Sequence, residues 1–270
     1  MILVNGVRSD SVAVTDRGLT YGDGIFRTLV SKKGQPRWWP WHYRKLEHDC
    51  AALAIPCPAA AVLAQEMALA VSRSEDEIVK IIVTRGSGTR GYAPPQPPSP
   101  TRIVMTAPPP EYPEVFSRSG VKVFKCRTRM TSQPRLAGVK HLNRLENVLA
   151  RAEWSDPDVP EGLMLDEANN IIGGTMTNLF IVEDGKLLTP ELTRCGVAGV
   201  TRERVMDAAR KHGVACREES ITEARLSEAQ EALLVNSIIG VWQIRECAGR
   251  SWTAGAHAGR VREWINEEAG

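Results

Sequence analysis

The sequence predicts an α+β fold made of two domains. The chain has 270 residues, more than one domain of common size requires. Segments typical of strands and of helices do not alternate strictly, which disfavours a single parallel sheet with a helix after every strand. Three consecutive prolines beginning at Pro108 interrupt the chain. We therefore expect a small N-terminal α/β domain over residues 1–110, a linker over about 111–120, and a larger C-terminal domain over 121–270.

The N-terminal domain is predicted to combine a sheet with two helices. Asn5-Gly6 between β-prone residues is a strong hairpin signal. Strands are expected in short β-prone segments: 3–7, 12–14, 25–31, 78–84 and 102–106. Apolar residues recur at helical spacing from Leu46 to Leu53, so a helix is expected over 42–54. The alanine-rich segment 59–73, which contains no glycine or proline, is expected to form the second helix.

The C-terminal domain is predicted to contain further strands and three helices. The strands are expected in apolar segments: 121–126, 161–165, 178–182 and 233–236. Helices are expected at 143–154, at 201–212 and in the tail from Ala258. Residues 128–138 show neither pattern and are expected to be irregular. No internal repeat is present, which disfavours a repeat architecture.

The composition excludes several classes of protein. Lys and Arg number 34 against 32 Asp and Glu, a net charge of +2, which disfavours a nucleic-acid-binding protein. The sequence lacks an apolar run of about 18 residues, so no membrane-spanning helix is expected, and Met1-Ile-Leu-Val does not read as a signal peptide. The cysteines and histidines show no zinc spacing and no HExxH pattern, so we expect free thiols, no metal site and a cytoplasmic protein.

Lys140, in the segment AGVKHLNR, follows an irregular loop and precedes a predicted helix. A lysine there can be a solvated charge at the start of a helix, which is the more common case. The alternative is a lysine that forms a Schiff base, for which the amine must be neutral and placed in a cleft. The residues by themselves leave both interpretations open.

The segment GVAGVTRE, residues 196–203, runs into the helix predicted at 201–212. Glycines before a helix expose backbone N–H groups, and the helix dipole favours an anion there. Thr201 can add a hydroxyl to such a site. The alternative is a simple loop with a helix cap, since glycine-rich caps are common.

The segment RGSGTRGY, residues 85–92, directly follows a predicted strand. Its two arginines, three glycines and tyrosine suit a loop that contacts an anionic substrate. It does not match GxxxxGK[ST], and no helix follows at once, so it is not a P-loop. The alternative is a flexible hairpin loop.

Three tryptophans, Trp38, Trp39 and Trp41, form an aromatic cluster before the helix predicted at 42–54. Packing in a core or at a domain interface is favoured over base stacking, because no basic stripe accompanies them. His42 is expected to be a structural hydrogen-bonding group rather than a base.

Together these motifs resemble the fold type IV enzymes that use pyridoxal phosphate (PLP), the family of the branched-chain and D-amino-acid aminotransferases. The resemblance runs nearly end to end and rests on short motifs: DRG at 16–18, YGDGIF at 21–26, RGSGTRGY at 85–92, LAGVKHLNRLE at 136–146, NLF at 178–180 and GVAGVTR at 196–202. RGSGTRGY and GVKHLNRLE are more similar to the lyases of this family than to its aminotransferases. The resemblance implies a carbon–oxygen lyase that converts aminodeoxychorismate into 4-aminobenzoate and pyruvate, a step of folate biosynthesis.

The same resemblance implies roles for individual residues. Lys140 would form the Schiff base with PLP and act as general base, with Thr28 assisting the proton transfer. The PLP phosphate would be bound by backbone N–H groups and hydroxyls: those of Gly199, Val200, Thr201 and Ser237. Candidates for the substrate carboxylates, from charge and loop position alone, are Arg90, Tyr92 and Arg27. The family is typically a homodimer, in which the tryptophan cluster could pack at the interface.

The chain departs from the family pattern at two positions. The phosphate-binding arginine of the pattern H-x-x-R-L falls on Lys45, which keeps the charge without the planar fork, and the neighbouring Arg44 would point about 100° away on a helix. The glutamate that pairs with the pyridine nitrogen falls on Gly173, which has no side chain. We expect a lyase to tolerate this loss better than an aminotransferase, because the lyase product is aromatic.

Two other functions stay open at this point. One is an aminotransferase of the same fold that acts on D- or branched-chain amino acids. The other is a catalytically impaired relative with a binding or regulatory role, which Lys45 and Gly173 motivate.

Overall fold

The computed structural model of the chain describes residues 1–267. These residues divide into two compact units. The first unit contains residues 1–110 and 139–143, and the second contains 111–138 and the described residues from 144 onward.

The first unit combines an antiparallel sheet with helices. Its elements are, in chain order, β1 (Ile2–Val4), β2 (Val7–Arg8), α1 (Arg17–Tyr21), β3 (Gly24–Lys32), β4 (Gln35–Pro36), α2 (Trp39–Ala52), α3 (Ala60–Ala70), β5 (Glu77–Thr84) and β6 (Thr101–Ala107). The six strands lie in the order β2-β1-β6-β5-β3-β4. Alternate side chains of β3, such as Ile25 and Leu29, are fully buried with Leu46 of α2 and Leu63 of α3. The other face of β3, which carries Phe26, is half-buried.

The second unit is built around a larger mixed sheet. Its elements are α4 (Glu114–Ser119), β7 (Val121–Met130), α5 (Leu145–Arg151), β8 (Glu161–Asp166), β9 (Ile171–Gly174), β10 (Asn178–Glu183), β11 (Lys186–Pro190), α6 (Val200–Lys211), β12 (Cys216–Glu219), α7 (Glu223–Glu228), β13 (Glu231–Asn236), β14 (Gly240–Cys247), β15 (Arg250–Ser251) and α8 (Ala256–Glu267). The strand order is β12-β11-β10-β13-β14-β7-β8-β9, and β15 pairs with β14. The pairs β11–β12, β14–β7 and β7–β8 are parallel.

The predicted hairpin at Asn5-Gly6 is confirmed. These residues join β1 to β2, and their φ angles of 51° and 82° are the positive values that a type I′ turn requires. The strand predicted at 12–14 is wrong. Val14 is 79% exposed there, so the β-prone residues of this segment have no buried surface to cover.

The predicted helices are confirmed with changed boundaries. The segment predicted at 42–54 starts earlier, as α2, with Pro40 in its first turn, where a missing N–H costs nothing. The helix predicted at 143–154 shortens to α5, because Asn143 instead donates its side-chain N–H to Gly22 O. Among the described residues, no helix is both long and apolar enough to cross a membrane.

Several strands of the second unit escape sequence-based prediction. The strand β9 ends in Gly173 and Gly174, residues that disfavour strands on propensity alone. In β14 the side chains from Val241 to Ile244 are all buried, so the alternation that marks a half-buried strand is missing. Packing on both faces of the sheet therefore hides these strands from a pattern search.

The predicted linker over 111–120 is wrong, because its residues belong to the second unit. They include α4, whose Phe116 is 5% exposed, and both Tyr112 and Phe116 meet the ring of Trp242 edge-on. A linker would not bury aromatic side chains in this way. The first unit ends with the proline-rich segment, at Pro110.

The prediction that Lys140 belongs to the larger domain is also wrong. Residues 139–143 are part of the first unit. Val139 is 1% exposed within the core of that unit, and the Leu142 N–H donates to Gly24 O at 2.9 Å. This hydrogen bond therefore holds the segment, and Lys140 with it, beside the start of β3.

All six cysteines are free thiols, as the spacing predicts. Burial raises the pKa of Cys126 to about 12 and those of Cys195, Cys216 and Cys247 to about 11. Thiols of this kind are poor nucleophiles at neutral pH.

The Glu153 carboxylate ties the end of β7 to the loop after α5. It accepts hydrogen bonds from the N–H groups of Arg127 and Thr128, both at 2.7 Å, and from the Thr128 hydroxyl at 2.6 Å. Burial acts to raise the pKa of Glu153, but these hydrogen bonds outweigh it and lower the pKa from 4.5 to about 2.

We expect Glu153→Gln to lower the free energy of unfolding at pH 7 by about 1 to 3 kcal/mol, because the N–H groups of Arg127 and Thr128 and the Thr128 hydroxyl lose a charged acceptor. Since the pKa of Glu153 is lower in the folded chain, its contribution is present above about pH 4.5 and is lost as the pH falls toward 2. Urea unfolding should therefore show a smaller difference between the two proteins at pH 3 than at pH 7. The exposed Glu114, changed to Gln, is the control and should alter stability by less than about 0.5 kcal/mol. A difference that stays constant with pH would contradict the prediction.

Candidate active site

Lys140 is held by its main chain within the first unit. Its carbonyl oxygen accepts a hydrogen bond from the Phe26 N–H at 3.0 Å, and its own N–H donates to Asp49 Oδ2 at 2.9 Å. Its Nζ lies 4.5 Å from the centroid of the Phe26 ring. The side chain is therefore half-buried against an aromatic ring rather than extended into solvent as a helix-entry charge would be.

Thr28 lies on the same face of β3 as Phe26, two residues along the strand. Its partner across the sheet is Lys80 of β5, whose Nζ lies 5.1 Å from the Phe26 ring centroid. The structure thus brings the predicted Thr28 near a cation that the sequence analysis missed. A lysine in the apolar strand IVKIIVT was the signal that could have found it.

Arg27 points to the opposite, buried face of β3. It is 2% exposed, forms an ion pair with Asp49 and donates to Lys45 O at 3.1 Å. The prediction that Arg27 binds a substrate carboxylate does not fit this position, because its guanidinium already serves a buried carboxylate inside the unit. The strand period of two residues explains the difference from Thr28.

Lys45 is half-buried on α2 and lies one helical turn before Asp49, on the same face of the helix. The neighbouring Arg44 is exposed, and its guanidinium lies 4.3 Å from the centroid of the Trp41 ring. Arg44 therefore stacks on the helix surface, so Lys45 remains the residue that matches the family position.

Arg90 and Tyr92 lie on the exposed loop after β5. Tyr92 is 85% exposed, and Arg90 is exposed as well. The buried Arg17 supports this loop by donating to the carbonyl oxygens of Gly91, Tyr92 and Ala93. Both predicted side chains are thus accessible, while the main chain between them is anchored.

The first arginine of RGSGTRGY, Arg85, has a structural role instead. It is 7% exposed and donates to both oxygens of Asp23 and to the carbonyl oxygens of Leu53 and Ala54. Arg17 donates to Asp23 as well, at 2.8 Å. Burial acts to raise the pKa of Asp23, but the hydrogen bonds from Arg85 and Arg17 outweigh it and hold the pKa below its usual value. Arg85 is therefore not available to an anionic substrate.

The predicted anion site of the second unit lies at the N-terminus of α6. Val200 and Thr201 are in its first turn, where N–H groups have no acceptor within the helix. The hydroxyls of Thr201 and Ser237 lie 3.2 Å apart, so the structure brings these two predicted residues together. Gly199 differs from the prediction, because its N–H donates to Asn178 Oδ1 at 3.1 Å. We therefore assign Gly199 to the shape of the loop rather than to anion binding.

Asn178 fixes the loop that leads into α6. Its side chain donates to Val197 O at 2.7 Å and accepts from Gly199, where a Cβ atom would lie 2.3 Å from Asn178 Oδ1. Main-chain hydrogen bonds also join Gly138 to this loop, from Gly138 N to Gly196 O and from Ala198 N to Gly138 O, both at 3.0 Å. A glycine at 199 is thus required for the close approach of Asn178.

Gly173 has a main-chain conformation that disfavours any side chain. Its φ is +157°, and a Cβ atom would lie 2.8 Å from Thr177 O. At the next residue, Gly174, a Cβ atom would lie 2.1 Å from Thr177 Oγ1 and 2.6 Å from Glu161 Oε2. The local backbone therefore disfavours the glutamate that the family pattern places at this position.

Glu161 holds the turn after Gly174. Its buried carboxylate accepts hydrogen bonds from the N–H groups of Thr175 and Met176 and from the hydroxyl of Thr177. Burial raises the pKa of Glu161, while the hydrogen bonds from these residues act in the opposite direction. These hydrogen bonds engage the Glu161 carboxylate within the turn. They also explain why the turn can be so tight.

A model of the amino-transferase class IV family matches residues 24–247. The chain is 36% identical over 241 residues to an aminodeoxychorismate lyase of Vibrio harveyi, and the match covers 89% of each chain. The crystal structure of a 4-amino-4-deoxychorismate lyase from Pseudomonas aeruginosa is 44% identical, with a TM-score of 0.95 over 99% of both chains. A hypothetical aminotransferase from Mycobacterium tuberculosis in a PLP-bound form has a TM-score of 0.86 over 100% of this chain and 98% of that chain; at 19% identity it supports the fold alone.

We expect Gly173→Ala to lower the free energy of unfolding by about 1 to 3 kcal/mol, because it forces a Cβ atom against Thr177 O in a conformation that L-residues rarely adopt. Gly173→Glu should be at least as destabilising. The matched control is Gly259→Ala in α8, where a Cβ atom meets open space and should stabilise the helix by up to about 1 kcal/mol. Denaturant unfolding of the three variants measures this, and a Gly173→Ala variant as stable as the natural chain would contradict it.

Proposed function

The chain belongs to the amino-transferase class IV family, and we propose that within this family it acts as an aminodeoxychorismate lyase. The predicted α+β fold of the type IV PLP enzymes is confirmed by the family match and by the structural neighbours. The observation that carries the proposal is the similarity, over nearly the whole chain, to lyases from two organisms. The reaction would convert aminodeoxychorismate into 4-aminobenzoate and pyruvate.

We propose PLP as the cofactor. Bound PLP would supply an aldehyde that takes an amine as a Schiff base and a conjugated ring that accepts electrons. The donors at the start of α6 fit an organic phosphate, since the N–H groups of Val200 and Thr201 point along the helix axis and the hydroxyls of Thr201 and Ser237 lie side by side. Lys140 would provide the amine for the aldehyde, and Lys45 a further cation.

In this proposal Lys140 acts twice. It would hold the cofactor, and as a free amine its Nζ would remove the proton from the substrate carbon that bears nitrogen. Loss of that proton would allow the carbon–oxygen bond to break, so that the enolpyruvyl group leaves and becomes pyruvate once it is protonated, while the substrate ring becomes aromatic. Lys140 can return the proton, and Thr28, on the sheet face that carries Phe26, would assist that transfer.

The substrate carries two carboxylates, which need cations. Arg90 and Tyr92 stay as candidates because both are exposed on an anchored loop. Lys80 joins them in this proposal, because its ammonium group lies beside Phe26 on the same sheet face as Thr28. Arg27 no longer belongs to this group.

Gly173 favours elimination over transamination in this proposal. Without a carboxylate at this position the pyridine ring would accept electrons less readily. A lyase is less affected, since its product gains aromatic stabilisation.

We also propose a cytoplasmic homodimer, in which the half-buried Trp38 to Trp41 cluster would pack at the interface.

We expect the purified protein to form equimolar 4-aminobenzoate and pyruvate from aminodeoxychorismate. Lys140→Ala should lower this rate by roughly 1,000-fold or more, because it removes both the Schiff base and the general base. The control is Lys186→Ala, which changes an exposed lysine of the second unit and should retain the rate. Amino transfer from D-alanine or a branched-chain amino acid to a 2-oxo acid should be much slower than the elimination. If the natural protein catalyses amino transfer faster than elimination, the lyase proposal is contradicted and an aminotransferase is favoured.

A further inference from the structure

A buried carboxylate that the sequence did not single out, Asp49, contacts the main chain of Lys140. Asp49 lies on α2 and is 0% exposed. Its Oδ2 accepts the Lys140 N–H at 2.9 Å and pairs with the Arg27 guanidinium, while its Oδ1 lies 3.2 Å from His48 Nδ1. We propose that Asp49 is a positioning residue for Lys140, an inference that rests on the proposed function.

The ion pair makes this placement possible. A carboxylate inside a domain is strongly unfavourable unless a cation and hydrogen-bond donors compensate for its lost hydration. Arg27 supplies the cation and also donates to Lys45 O, so the pair joins β3 to α2. Asp49 is therefore held in place between α2 and β3, and its carboxylate accepts the Lys140 N–H.

Both main-chain polar groups of Lys140 are thereby engaged. The N–H is bonded to Asp49 and the C=O to the Phe26 N–H, so the origin of the side chain is fixed on both sides. Its Nζ can then move through side-chain torsions alone. A lysine that alternates between a Schiff base and a free amine depends on such a fixed origin, because a displacement of 1 Å can cost about 100-fold in rate.

Asp49 does not act as a catalytic group in this proposal. Its oxygens are bonded to a main-chain N–H, to Arg27 and to His48, and it influences Nζ only through the position of the Lys140 backbone. Loss of Asp49 should therefore slow the steps that Lys140 performs and leave substrate binding nearly unchanged. That pattern separates positioning from a purely structural role.

The test compares Asp49→Asn and Asp49→Ala with a matched control, Glu66→Gln. Glu66 is also buried, at 5% exposed, and pairs with an arginine of the same sheet, Arg102, at 2.8 Å. The first measurement is the rate at which apoenzyme and added PLP form the Schiff base, followed by absorbance and located at Lys140 by borohydride reduction and peptide mapping. The second is kcat and KM for 4-aminobenzoate formation, and the third is thermal unfolding.

We expect the Asp49 variants to lower the Schiff-base rate and kcat by roughly 10- to 100-fold with KM changed less than about 3-fold, while Glu66→Gln changes each by less than about 2-fold. The proposal is overturned if the Asp49 variants match Glu66→Gln in both rates, if the natural protein forms no Schiff base at Lys140, or if neither Asp49 variant folds while Glu66→Gln does. If the natural protein forms the Schiff base but no 4-aminobenzoate, the lyase function fails, and the Schiff-base rates still decide the role of Asp49.

Discussion

The hydrogen bonds that fix the Lys140 main chain require a particular packing of α2 and β3 in the first unit. For Asp49 to reach the Lys140 N–H, α2 must pack on the buried face of β3, which the alternation of Ile25 and Leu29 on that strand provides. The same alternation turns Phe26 to the opposite face, where its ring meets the Lys140 side chain. One strand thus supplies the supporting interior on one side and, on the other, the face that contacts Lys140. A shift of β3 by one residue would exchange the two faces and lose both.

The arginines and lysines of the first unit have different surroundings. Four of its arginines pair with carboxylates of the same unit: buried Arg27 with Asp49, buried Arg85 and Arg17 with the shared Asp23, and half-buried Arg102 with Glu66. The planar guanidinium suits such pairs because it donates to several acceptors at once. Beside Phe26 the chain places lysines instead, whose compact ammonium groups suit proton transfer and small carboxylates.

The sequence allowed the local features of the site to be predicted but not those that depend on distant partners. Lys140, Thr201 and Ser237 stood in short motifs, and the structure places the latter two side by side. The sequence does not show that Arg27 is engaged in the interior, because its partner Asp49 lies 22 residues further on in another element. The motif also could not show that Gly199 donates its N–H to Asn178, 21 residues earlier. Long-range pairing of this kind decides whether a polar side chain is available, and no local pattern records it.

The conformation at Gly173 connects the backbone to the choice of reaction. A residue with φ of +157° and a carbonyl oxygen 2.8 Å from its Cβ position cannot regain a glutamate by substitution alone, because the tight turn held by Glu161 would have to move. The ring of the cofactor would thus lack a carboxylate partner from this position in every step. Amino transfer needs the same charge stabilisation in both of its half-reactions, whose overall equilibrium is nearly balanced. Elimination would need it once and would end in an aromatic product, so under the proposed function the backbone of β9 would favour the lyase reaction over amino transfer.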